Sequence, residues 1–504
     1  MKSRNILKLV IFVSFVIIIS IPSLLMFAGY NSFSQEIEKR EKMGKPRFTL
    51  REIKDYPDRY EKYFNDSFGL RRQFIALNAI IKNKIFDTSS TSKAIVGKKG
   101  WYYYTLDNNI DIYRGTYPLD ENLLEEISEK QMELNEYFKS KNIEYVLVLT
   151  PSKVSIYPEN LPDGGVKVHS ETAIDILEEY LKKNTDIKVV NLKPRLLNSK
   201  STGTLYFKTD THWNYEGAYE GISEIMDYLL KEKLISNKKN IDVSKYDSTY
   251  KGEFSAMMGY EKLFPEEKIR KTRINNQTAV LDSDSTYFKE TSRINTERGE
   301  TRPVEYYRNP SAPNLKTVAV FHDSFFGNFN ALPLIAENFE NTVSVWSWAP
   351  SAKLIDHIKP NIVIVEITER YIDHLKNKLD YEISSTIFPP LVNLDSKILD
   401  ITYNQKINGK YINNIKITVK NTSNKSWTES RMIRLSVKQN NEDKGMRLKL
   451  PDNVKIKPNE TYTFTIEKLE VPKKEKISFS FQMVEEGVKW FGEIKNLEIN
   501  ANKQ

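Results

Sequence analysis

The sequence predicts an α/β domain built on a parallel sheet, with one membrane-spanning helix before it and an all-β sandwich after it. Three observations carry this prediction. A long apolar run lies near the N-terminus, short continuous apolar stretches alternate with helical patterns through the middle of the chain, and residues after 396 alternate between apolar and polar.

Composition narrows the class of protein. A chain of 504 residues is too long for one hydrophobic core, so we expect at least two domains. The net charge of +8 comes from basic residues scattered among acidic ones, without an arginine-rich arm or a zinc pattern, so nucleic acid is not expected as a partner. A mild positive balance suits a surface that faces an anionic envelope or a polyanionic glycan. The chain has no cysteine, which excludes disulfides, thiolate metal sites and a cysteine nucleophile.

The N-terminal segment 1–30 is predicted to be a membrane anchor. The apolar run Leu9–Ala28 is long enough to span a bilayer. Lys2, Arg4 and Lys8 precede it, so the N-terminus is expected in the cytoplasm and the rest of the chain outside. No A-x-A-like cleavage site follows the run, which favours an uncleaved anchor over a signal peptide. We therefore expect a single-pass protein of the cell membrane whose bulk is extracellular.

Residues 31–95 are polar with helical spacing and are predicted to form a juxtamembrane helical segment; GKKGWYYY then indicates a turn into an aromatic strand. The α/β domain is predicted over 96–390, with active loops at the carboxyl ends of its strands. Asp120 is the expected N-cap of a helix that continues to Phe138. The predicted strands are 145–150, 187–190, 318–321, 343–346 and 362–365, and further helices are predicted at 170–184 and 351–358.

Two other stretches have different patterns. Residues 232–312 are polar and without a strong period, and they are predicted to be a long insertion that is partly ordered around GEFSAMMGY. Residues 396–504 contain several short alternating strands separated by turn-like clusters, which predicts a β-sandwich. Trp427 and Trp490 in this sandwich either bind glycan or lie in its core, and the core is favoured.

A histidine base is suggested by the tetrapeptide DTHW. Asp210 and His212 lie two residues apart, so on extended backbone their side chains face the same side. The aspartate would accept from one ring nitrogen and fix the tautomer, which leaves the other nitrogen free to act as a base.

The best candidate for a nucleophile is Ser324. A buried strand is predicted to end at Phe321, and His322-Asp323-Ser324 then turns into a predicted helix. At that helix start the serine would be exposed, and its own N–H would face a developing oxyanion. His322 is a poorer base than His212, because its nearest carboxylate is the adjacent Asp323.

Other interpretations of these residues stay open. A D-x-H tripeptide is often a surface coincidence, and a serine after a strand is often a helix N-cap. Asp210, His212, His322 and Asp323 would also suit a metal site. We expect neither a metal nor a cofactor.

Three further residues are predicted to bind substrate. Lys153 follows the first buried strand and is either a charge stabiliser or a solvated lysine. Arg370 follows the strand 362–365 and either holds an acidic substrate or packs structurally. Trp348 would stack on a sugar ring. Trp213 is expected in the core and Asn214 at a helix N-cap.

The order of several motifs resembles the alginate O-acetyltransferase family (AlgJ/AlgX type, DHHW proteins). An N-terminal anchor is followed by FNDSFGLR, GKKGWYYY, TPSKVSIYPENLP, DTHWNYEGA, GEFSAMMG, VFHDSFF and VEITERY. The resemblance covers about residues 45–375 and implies an SGNH-hydrolase-like fold, circularly permuted so that the Asp-His block precedes the Ser block. It also implies a triad of Asp210, His212 and Ser324. His322 replaces the glycine of the family's usual GDS, and DTHW stands for DHHW. The C-terminal sandwich resembles bacterial Ig-like domains.

The resemblance implies a membrane-anchored extracellular O-acetyltransferase that forms an acetyl-serine and acts on a cell-surface or secreted polysaccharide. A membrane-bound acyltransferase of the MBOAT type would be its partner and would supply the acetyl group. Two alternatives remain: a carbohydrate acetyl-esterase, which would use water as acceptor, and a non-catalytic glycan-binding scaffold of an exopolysaccharide complex. The second oxyanion donor, normally a Gly or Asn on neighbouring strand ends, has no evident counterpart.

Overall fold

The structure is a computed structural model. It describes residues 2–30, 33, 41–49, 52–117, 119–163, 167–259, 261–297, 302–376, 391, 393–403, 411–451, 454–470 and 476–500. Parts of the predicted juxtamembrane segment and residues 377–390 at the end of the predicted α/β domain lie outside these ranges.

The described helices are distributed through the first three quarters of the chain. They are α1 (Lys2–Phe27), α2 (Tyr56–Ser67), α3 (Arg71–Ile85), α4 (Asn109–Arg114), α5 (Glu121–Ser140), α6 (Lys153–Ile156), α7 (Ala173–Asn184), α8 (Lys193–Ser199), α9 (Tyr215–Lys231), α10 (Phe254–Met257), α11 (Thr286–Glu297), α12 (Ala331–Ala336) and α13 (Ala352–Ile358). Short 3-10 helices are Lys98–Gly100, Pro158–Asn160, Lys200–Thr202, Glu261–Leu263, Glu369–Lys376 and Glu429–Arg431.

The strands fall into a central sheet, two small antiparallel pairs and two sheets at the C-terminal end. They are β1 (Ala94–Val96), β2 (Tyr102–Tyr104), β3 (Glu144–Thr150), β4 (Lys188–Asn191), β5 (Val243–Tyr250), β6 (Glu267–Ile274), β7 (Val280–Leu281), β8 (Val304–Arg308), β9 (Asn314–Phe321), β10 (Phe339–Val345), β11 (Ile362–Thr368), β12 (Ser396–Thr402), β13 (Tyr411–Asn421), β14 (Ile433–Gln439), β15 (Glu442–Leu448), β16 (Thr461–Glu470), β17 (Lys476–Glu485) and β18 (Lys489–Asn500).

The central sheet has seven strands in the order β4-β3-β11-β9-β10-β8-β7. The strands from β4 to β10 are parallel, as predicted, and β8 pairs antiparallel with both β10 and β7. Successive residues of a strand point to opposite faces. Val146 and Val320 therefore belong to the core on one side of the sheet, and Leu147 and Phe321 belong to the core on the other. Helices cover both faces of the sheet. Because the strands are parallel, their carboxyl ends meet at one edge of the sheet, where a site is expected.

The stretch 232–312 differs from the predicted insertion, because most of it is regular structure. Strands β5 and β6 pair antiparallel over their whole length, and β7 and β8 extend the central sheet. Strands β6 and β8 contain several charged residues, so a search of the sequence for apolar runs does not find them. Helix α11 adds a further element to the same stretch.

The C-terminal region is a β-sandwich, as predicted. One sheet has the order β12-β13-β16 and the other β15-β14-β17-β18. Trp427 is fully buried in its core, as favoured from the sequence, whereas that expectation is wrong for Trp490, which is 38% exposed. Lys438 and Arg447 lie over the Trp490 ring, 3.7 and 5.1 Å from its centre.

The sandwich contacts helix α5 through paired charges. Lys425 contacts Glu136 at 2.6 Å and Lys455 contacts Glu129 at 2.6 Å. A more deeply buried pair joins Arg431 and Glu485 within the sandwich at 3.1 Å. The acidic face of α5 thus pairs with basic residues of the sandwich.

Candidate active site

Asp210, His212 and Ser324 come together at the carboxyl edge of the central sheet. His212 Nε2 lies 2.7 Å from Ser324 Oγ, and His212 Nδ1 lies 2.6 Å from Asp210 Oδ1. The backbone N–H of His212 also donates to Oδ1 of Asp210 at 3.1 Å. Asp210 and His212 are buried and Ser324 is half-buried. A carboxylate, an imidazole and a hydroxyl in this order form a relay that can activate the serine.

The hydrogen-bond partners fix the tautomer of His212. Asp210 as a carboxylate can only accept, so Nδ1 carries the proton and Nε2 accepts from the hydroxyl of Ser324. Burial alone would raise the pKa of Asp210. Hydrogen bonds from His212, the Glu253 amide and the Tyr250 hydroxyl outweigh that effect and hold the pKa of Asp210 well below its usual value. The carboxylate therefore stays charged and oriented.

The second oxygen of the Asp210 carboxylate is held by residues that follow the triad motif by about forty positions. The Tyr250 hydroxyl donates to Oδ2 at 2.8 Å and the Glu253 backbone N–H donates to it at 3.0 Å. Tyr250 is the last residue of β5, and Glu253 follows Gly252, whose backbone passes against Thr209. A Cβ on Gly252 would lie 2.0 Å from the Thr209 carbonyl oxygen, so only glycine permits this approach.

Glu267 at the start of β6 fixes the loop that carries Asp210. Its carboxylate accepts from the backbone N–H groups of Lys208 and Thr209, both at 2.9 Å, and from the Thr209 hydroxyl at 2.5 Å. Because Glu267 is the cross-strand partner of Tyr250, one end of the β5–β6 pair holds both the loop and its aspartate. The triad geometry therefore depends on this strand pair.

Lys153 lies beneath the same loop, which corrects the prediction that it binds substrate. Its ammonium donates to the carbonyl oxygens of Phe207, Lys208 and Asp210 at 3.1, 3.2 and 2.6 Å. An ammonium has three donors, so none remains for a substrate. Burial lowers the pKa of Lys153 to about 7, although the carboxylates of Asp210, Glu267 and Glu253 act in the opposite direction. The structure assigns Lys153 to positioning the Asp210 loop.

Ser324 lies in a turn, whereas the sequence predicts the start of a helix there. The helix α12 begins only at Ala331, and residues 324–327 form a single turn closed by the Gly327 N–H and the Asp323 carbonyl at 3.3 Å. Phe329 and Asn330 adopt left-handed backbone conformations, with φ of 57 and 67°, and separate this turn from the helix. The oxyanion argument based on a helix N-terminus therefore does not apply to Ser324.

The neighbouring strand β11 holds this turn in place. Asp323 Oδ2 accepts from the backbone N–H and the hydroxyl of Thr368, at 3.0 and 2.7 Å. The backbone N–H of Asp323 donates to Glu366 at 3.1 Å. Burial and the nearby charge of Asp323 raise the pKa of Glu366 well above its usual value, so Glu366 is neutral. The turn that carries Ser324 is thus bonded to strand β11 through two buried acids, Asp323 and Glu366.

His322 is engaged on both ring nitrogens and does not contact the hydroxyl of Ser324. Nδ1 lies 2.6 Å from the Asp323 carbonyl oxygen, which can only accept, so Nδ1 carries the proton and Nε2 accepts from Ser344 at 2.6 Å. Burial lowers the pKa of His322 to about 4, so this ring is neutral near pH 7. Its place in the structure is that of a buried packing residue.

Arg370 follows β11 at the edge where Ser324 lies. Its guanidinium carbon lies 5.7 Å from the ring centre of Phe325 and 4.8 Å from that of Tyr371. The side chain is buried, and its Nε makes no hydrogen bond with any described residue. Arg370 is therefore a buried cation beside the turn at residues 324–327.

Trp348, which is predicted to stack on a sugar ring, is half-buried. It packs against Tyr371 and His374, with ring centres 5.1 and 5.0 Å apart. The cavity that it lines with residues of α5 has a volume of about 20 Å³, which is room for a water molecule and far too little for a sugar ring. Trp213 is fully buried, as expected, and donates to the Phe325 carbonyl at 3.0 Å. Asn214 caps α9, as predicted.

The structure also bears on the alternative that these residues bind a metal ion. The four residues considered from the sequence do not converge, because His322 bonds to Ser344 and Asp323 bonds to Thr368. Within the described ranges, the one set of three side chains that would suit an ion is Asp210, His212 and Glu253. A cavity of about 640 Å³ lies beside the Asp210 loop, and none of the triad residues lines it.

Comparisons with known proteins agree with the resemblance. The family model described as SGNH hydrolase-like domain, acetyltransferase AlgX, matches residues 94–295, a stretch that includes Asp210 and His212 and ends before Ser324. The probable alginate O-acetylase AlgJ of Pseudomonas fluorescens is 22% identical over 242 residues, which are 45% of this chain and 57% of that protein. The corresponding protein of Pseudomonas syringae pv. tomato is 21% identical over 266 residues, 52% of this chain and 62% of that protein. The chain thus spans less than two thirds of the length of these relatives.

Two solved structures are each similar to a little more than half of the chain. The O-acetyltransferase domain of Pseudomonas putida AlgJ is 15% identical, with 57% of this chain and 95% of that chain covered and a TM-score of 0.41. Bacillus cereus PatB1 is 20% identical, with 55% and 95% covered and a TM-score of 0.37. Together with the family match, the parallel sheet with helices on both faces confirms the predicted SGNH-like α/β class.

Proposed function

We propose that this protein is a polysaccharide O-acetyltransferase that works through an acetyl-serine at Ser324. The observation that carries the proposal is the 2.7 Å contact between His212 Nε2 and Ser324 Oγ, with Asp210 behind the imidazole. A base within hydrogen-bond reach of a hydroxyl, itself oriented by a carboxylate, is the arrangement that activates a serine for acyl transfer. The match to an acetyltransferase family model supports the choice of acetyl as the group transferred.

The first half-reaction loads the enzyme. Ser324 Oγ attacks the carbonyl carbon of an acetyl donor while His212 Nε2 takes the hydroxyl proton. The tetrahedral intermediate collapses, the bond to the leaving group breaks, and His212 returns the proton to that group. Asp210 stabilises the imidazolium in between without taking its proton.

The second half-reaction delivers the acetyl group. A sugar hydroxyl attacks the acetyl-serine and gives its proton to His212. The ester bond to Ser324 breaks and Oγ recovers the proton. Water competes for the same intermediate, so a positioned acceptor must outcompete it.

Arg370 is proposed to hold an acidic part of the substrate. Its positive charge and its position beside the turn that carries Ser324 support this role. Guanidinium groups bind carboxylates in two-point geometry, as on a uronic acid.

The proposed location is the outer face of the cell membrane. The helix α1 contains a span of 20 residues, Lys8–Phe27, that is long and apolar enough to cross a bilayer and fits a membrane anchor. Basic residues before it favour a cytoplasmic N-terminus and an extracellular catalytic domain over 96–390, with the Ig-like sandwich beyond. One span offers no route for an acetyl group across the bilayer, so we propose a membrane-bound MBOAT acyltransferase as its supplier and a polysaccharide as acceptor.

The test uses the full-length protein with an activated acetyl ester and candidate oligosaccharides, and it measures free acetate and acetylated sugar by mass spectrometry. Ser324→Ala should lose the acetyl-enzyme and both products, whereas Ser248→Ala, a half-buried serine on β5, should retain them. Acetylated sugar should rise at the expense of acetate as the acceptor concentration increases. If acetate stays the only product with every acceptor while acetylated polymer is deacetylated, the protein is an esterase. Activity that survives Ser324→Ala rules out the mechanism.

A further inference from the structure

Helix α3 has an apolar stripe on the face turned away from the protein. Phe74, Leu77, Ile81 and Ile85 share one face of this helix and are 43, 51, 37 and 68% exposed. The opposite face packs into the α/β domain through residues such as Ala79, in a cluster with Phe254 and Met258. Helices at a water-facing surface carry polar residues on the outer face. This helix is apolar on both faces, so its outer stripe calls for an apolar partner.

The start of α3 lies directly against the membrane-spanning helix. The turn before it places Gly69 so close to α1 that a Cβ would lie 2.4 Å from the Pro22 carbonyl oxygen and 2.8 Å from Leu25 Cβ. Pro22 is buried by this contact, although only 6% of the apolar span is buried. The amide of Gln73 in the first turn of α3 donates to the Tyr30 hydroxyl at 3.2 Å. Helix α3 is therefore attached to the outer end of α1.

The contact fixes the depth of the start of α3 relative to a bilayer. The span Lys8–Phe27 is 20 residues long, which at about 1.5 Å per residue just crosses a hydrocarbon layer of about 30 Å. Pro22 then lies about 7 Å inside the outer end of that span. The turn at Gly69 sits at the same level. Helices that lie in a membrane interface bury their apolar face by about 5–10 Å, and the depth of the turn that precedes α3 falls in this range.

The composition around the stripe fits a lipid surface. Phe64, Phe68 and Phe74 form a chain of rings with centres 5.5 and 6.3 Å apart on either side of the turn at Gly69, and phenylalanine is typical of the apolar face of interfacial helices. Lys82 and Lys84 are exposed and flank the stripe on either side. Lysines in these positions reach the phosphates of anionic lipids while the stripe faces acyl chains.

We propose that α3 lies in the outer interface of the bilayer, with Phe74, Leu77, Ile81 and Ile85 among the acyl chains. Helix α3 also packs on α10, and the residue before α10, Glu253, donates its backbone N–H to Asp210. The bilayer would therefore set the height and orientation of the active site above the membrane. The proposal requires that α1 spans the bilayer and is independent of the chemistry at Ser324.

The test uses the absence of cysteine from the chain, which lets a single engineered thiol be labelled without background. Full-length Leu77→Cys carries an environment-sensitive fluorophore and is reconstituted in vesicles of phosphatidylcholine and phosphatidylglycerol. Lipids spin-labelled near the headgroup should quench it several-fold more strongly than a matched probe at Leu315→Cys, a leucine in β9 that is 74% exposed. Equal quenching at both positions, or a Leu77 probe that emits as it does in water, overturns the proposal.

A second arm separates lipid from a protein partner. A probe at Ile85→Cys should be quenched more weakly by lipid in the Leu77→Gln/Ile81→Gln variant than in the chain without these two substitutions. The thermal midpoint and the hydrolysis of a soluble acetyl ester should be the same in both proteins. Energy transfer between two labelled copies without lipid quenching would identify a dimer interface and overturn the proposal. Ser324→Ala should leave the quenching as it is, so failure of the proposed chemistry and failure of the membrane contact give different results.

Discussion

The Tyr250 hydroxyl donates a 2.8 Å hydrogen bond to Asp210 Oδ2, the carboxylate oxygen that His212 does not use. The two residues are forty positions apart in sequence, and strand β5 brings them together. This bond orients the aspartate that orients the base.

Replacing Tyr250 by phenylalanine should therefore slow catalysis without unfolding the protein. The ring would keep its packing against Phe207, 4.3 Å between centres, and only the hydrogen bond would be lost. A hydrogen bond to a charged group contributes about 1.5–3 kcal/mol, and the Glu253 amide retains part of the effect, so kcat should fall about tenfold. Steady-state hydrolysis of an activated acetyl ester measures it. Tyr215→Phe, from the same aromatic cluster, is the control and should leave kcat unchanged.

Lys153→Met should lower kcat and leave KM nearly unchanged, because the ammonium binds three carbonyls of the Asp210 loop and no substrate. Lys153→Arg should not rescue activity, since a planar guanidinium cannot direct three donors to one converging set of carbonyls. A rise in KM with kcat retained would return Lys153 to the substrate site.

The pH dependence of stability gives a second check on Lys153. Burial lowers its pKa to about 7 from 10.5, so between these values the unfolded chain binds more protons than the folded chain. The free energy of unfolding of the native protein should thus rise with pH from about 7 to about 10, relative to Lys153→Met. Denaturant titrations of both proteins across this range measure the difference. A constant difference would mean that the lysine titrates alike in both states.

His322 should make the protein sensitive to acid. Its pKa is lowered from 6.5 to about 4 by burial, so the stability that its neutral form contributes is present above pH 6.5 and is lost as pH falls through 4. The loss should approach about 3 kcal/mol for a shift of this size. His322→Gln, which can donate to the Asp323 carbonyl and accept from Ser344, should unfold at lower pH. The exposed His169→Gln is the control and should follow the native acid transition.

Replacing only one member of the buried ion pair Arg431–Glu485 should destabilise the sandwich strongly. Both side chains are buried, 7 and 3% exposed, and burial raises the pKa of Glu485 while Arg431 opposes that effect. Arg431→Met would leave the carboxylate buried without its partner and should destabilise the sandwich by about 3 kcal/mol at neutral pH. Adding Glu485→Gln should recover much of the loss. Denaturant unfolding followed by tryptophan fluorescence measures both, and an additive double variant would contradict the coupling.

The sequence predicts the central sheet where strands are apolar throughout. Residues 146–149 of β3 and 362–365 of β11 are apolar without interruption and buried, so period and burial agree. Strand β6 reads EKIRKTRI and β8 reads VEYYR, and their charged residues conceal both strands. Strand β6 pairs only with β5, and β8 lies between β10 and the two-residue strand β7. Local pattern cannot show pairing that tertiary structure decides.

The candidate site has the same limit: residue types can be recognised in the sequence, but long-range contacts cannot. Asp210, His212 and Ser324 are predictable because the residue types themselves suggest the chemistry and because the sheet gathers its carboxyl ends. The role of Tyr250, Glu253 and Glu267 is not predictable, because each contacts the loop across forty or more positions. Lys153 shows the reverse error: a polar residue near a strand end can point beneath the site.

Because the β5–β6 strand pair supports Asp210, the Asp-x-His and Ser motifs alone do not show that a chain is active. A related chain can keep an Asp-x-His block and the later serine and still be a pseudoenzyme if its counterparts of Tyr250, Glu253 and Glu267 are lost, because the hydrogen bonds to the second carboxylate oxygen of the aspartate and to its loop are then missing. Divergence in the polar stretch between the motifs is therefore informative about lineage and function. It is the first place to inspect when active and inactive members of a gene cluster are sorted.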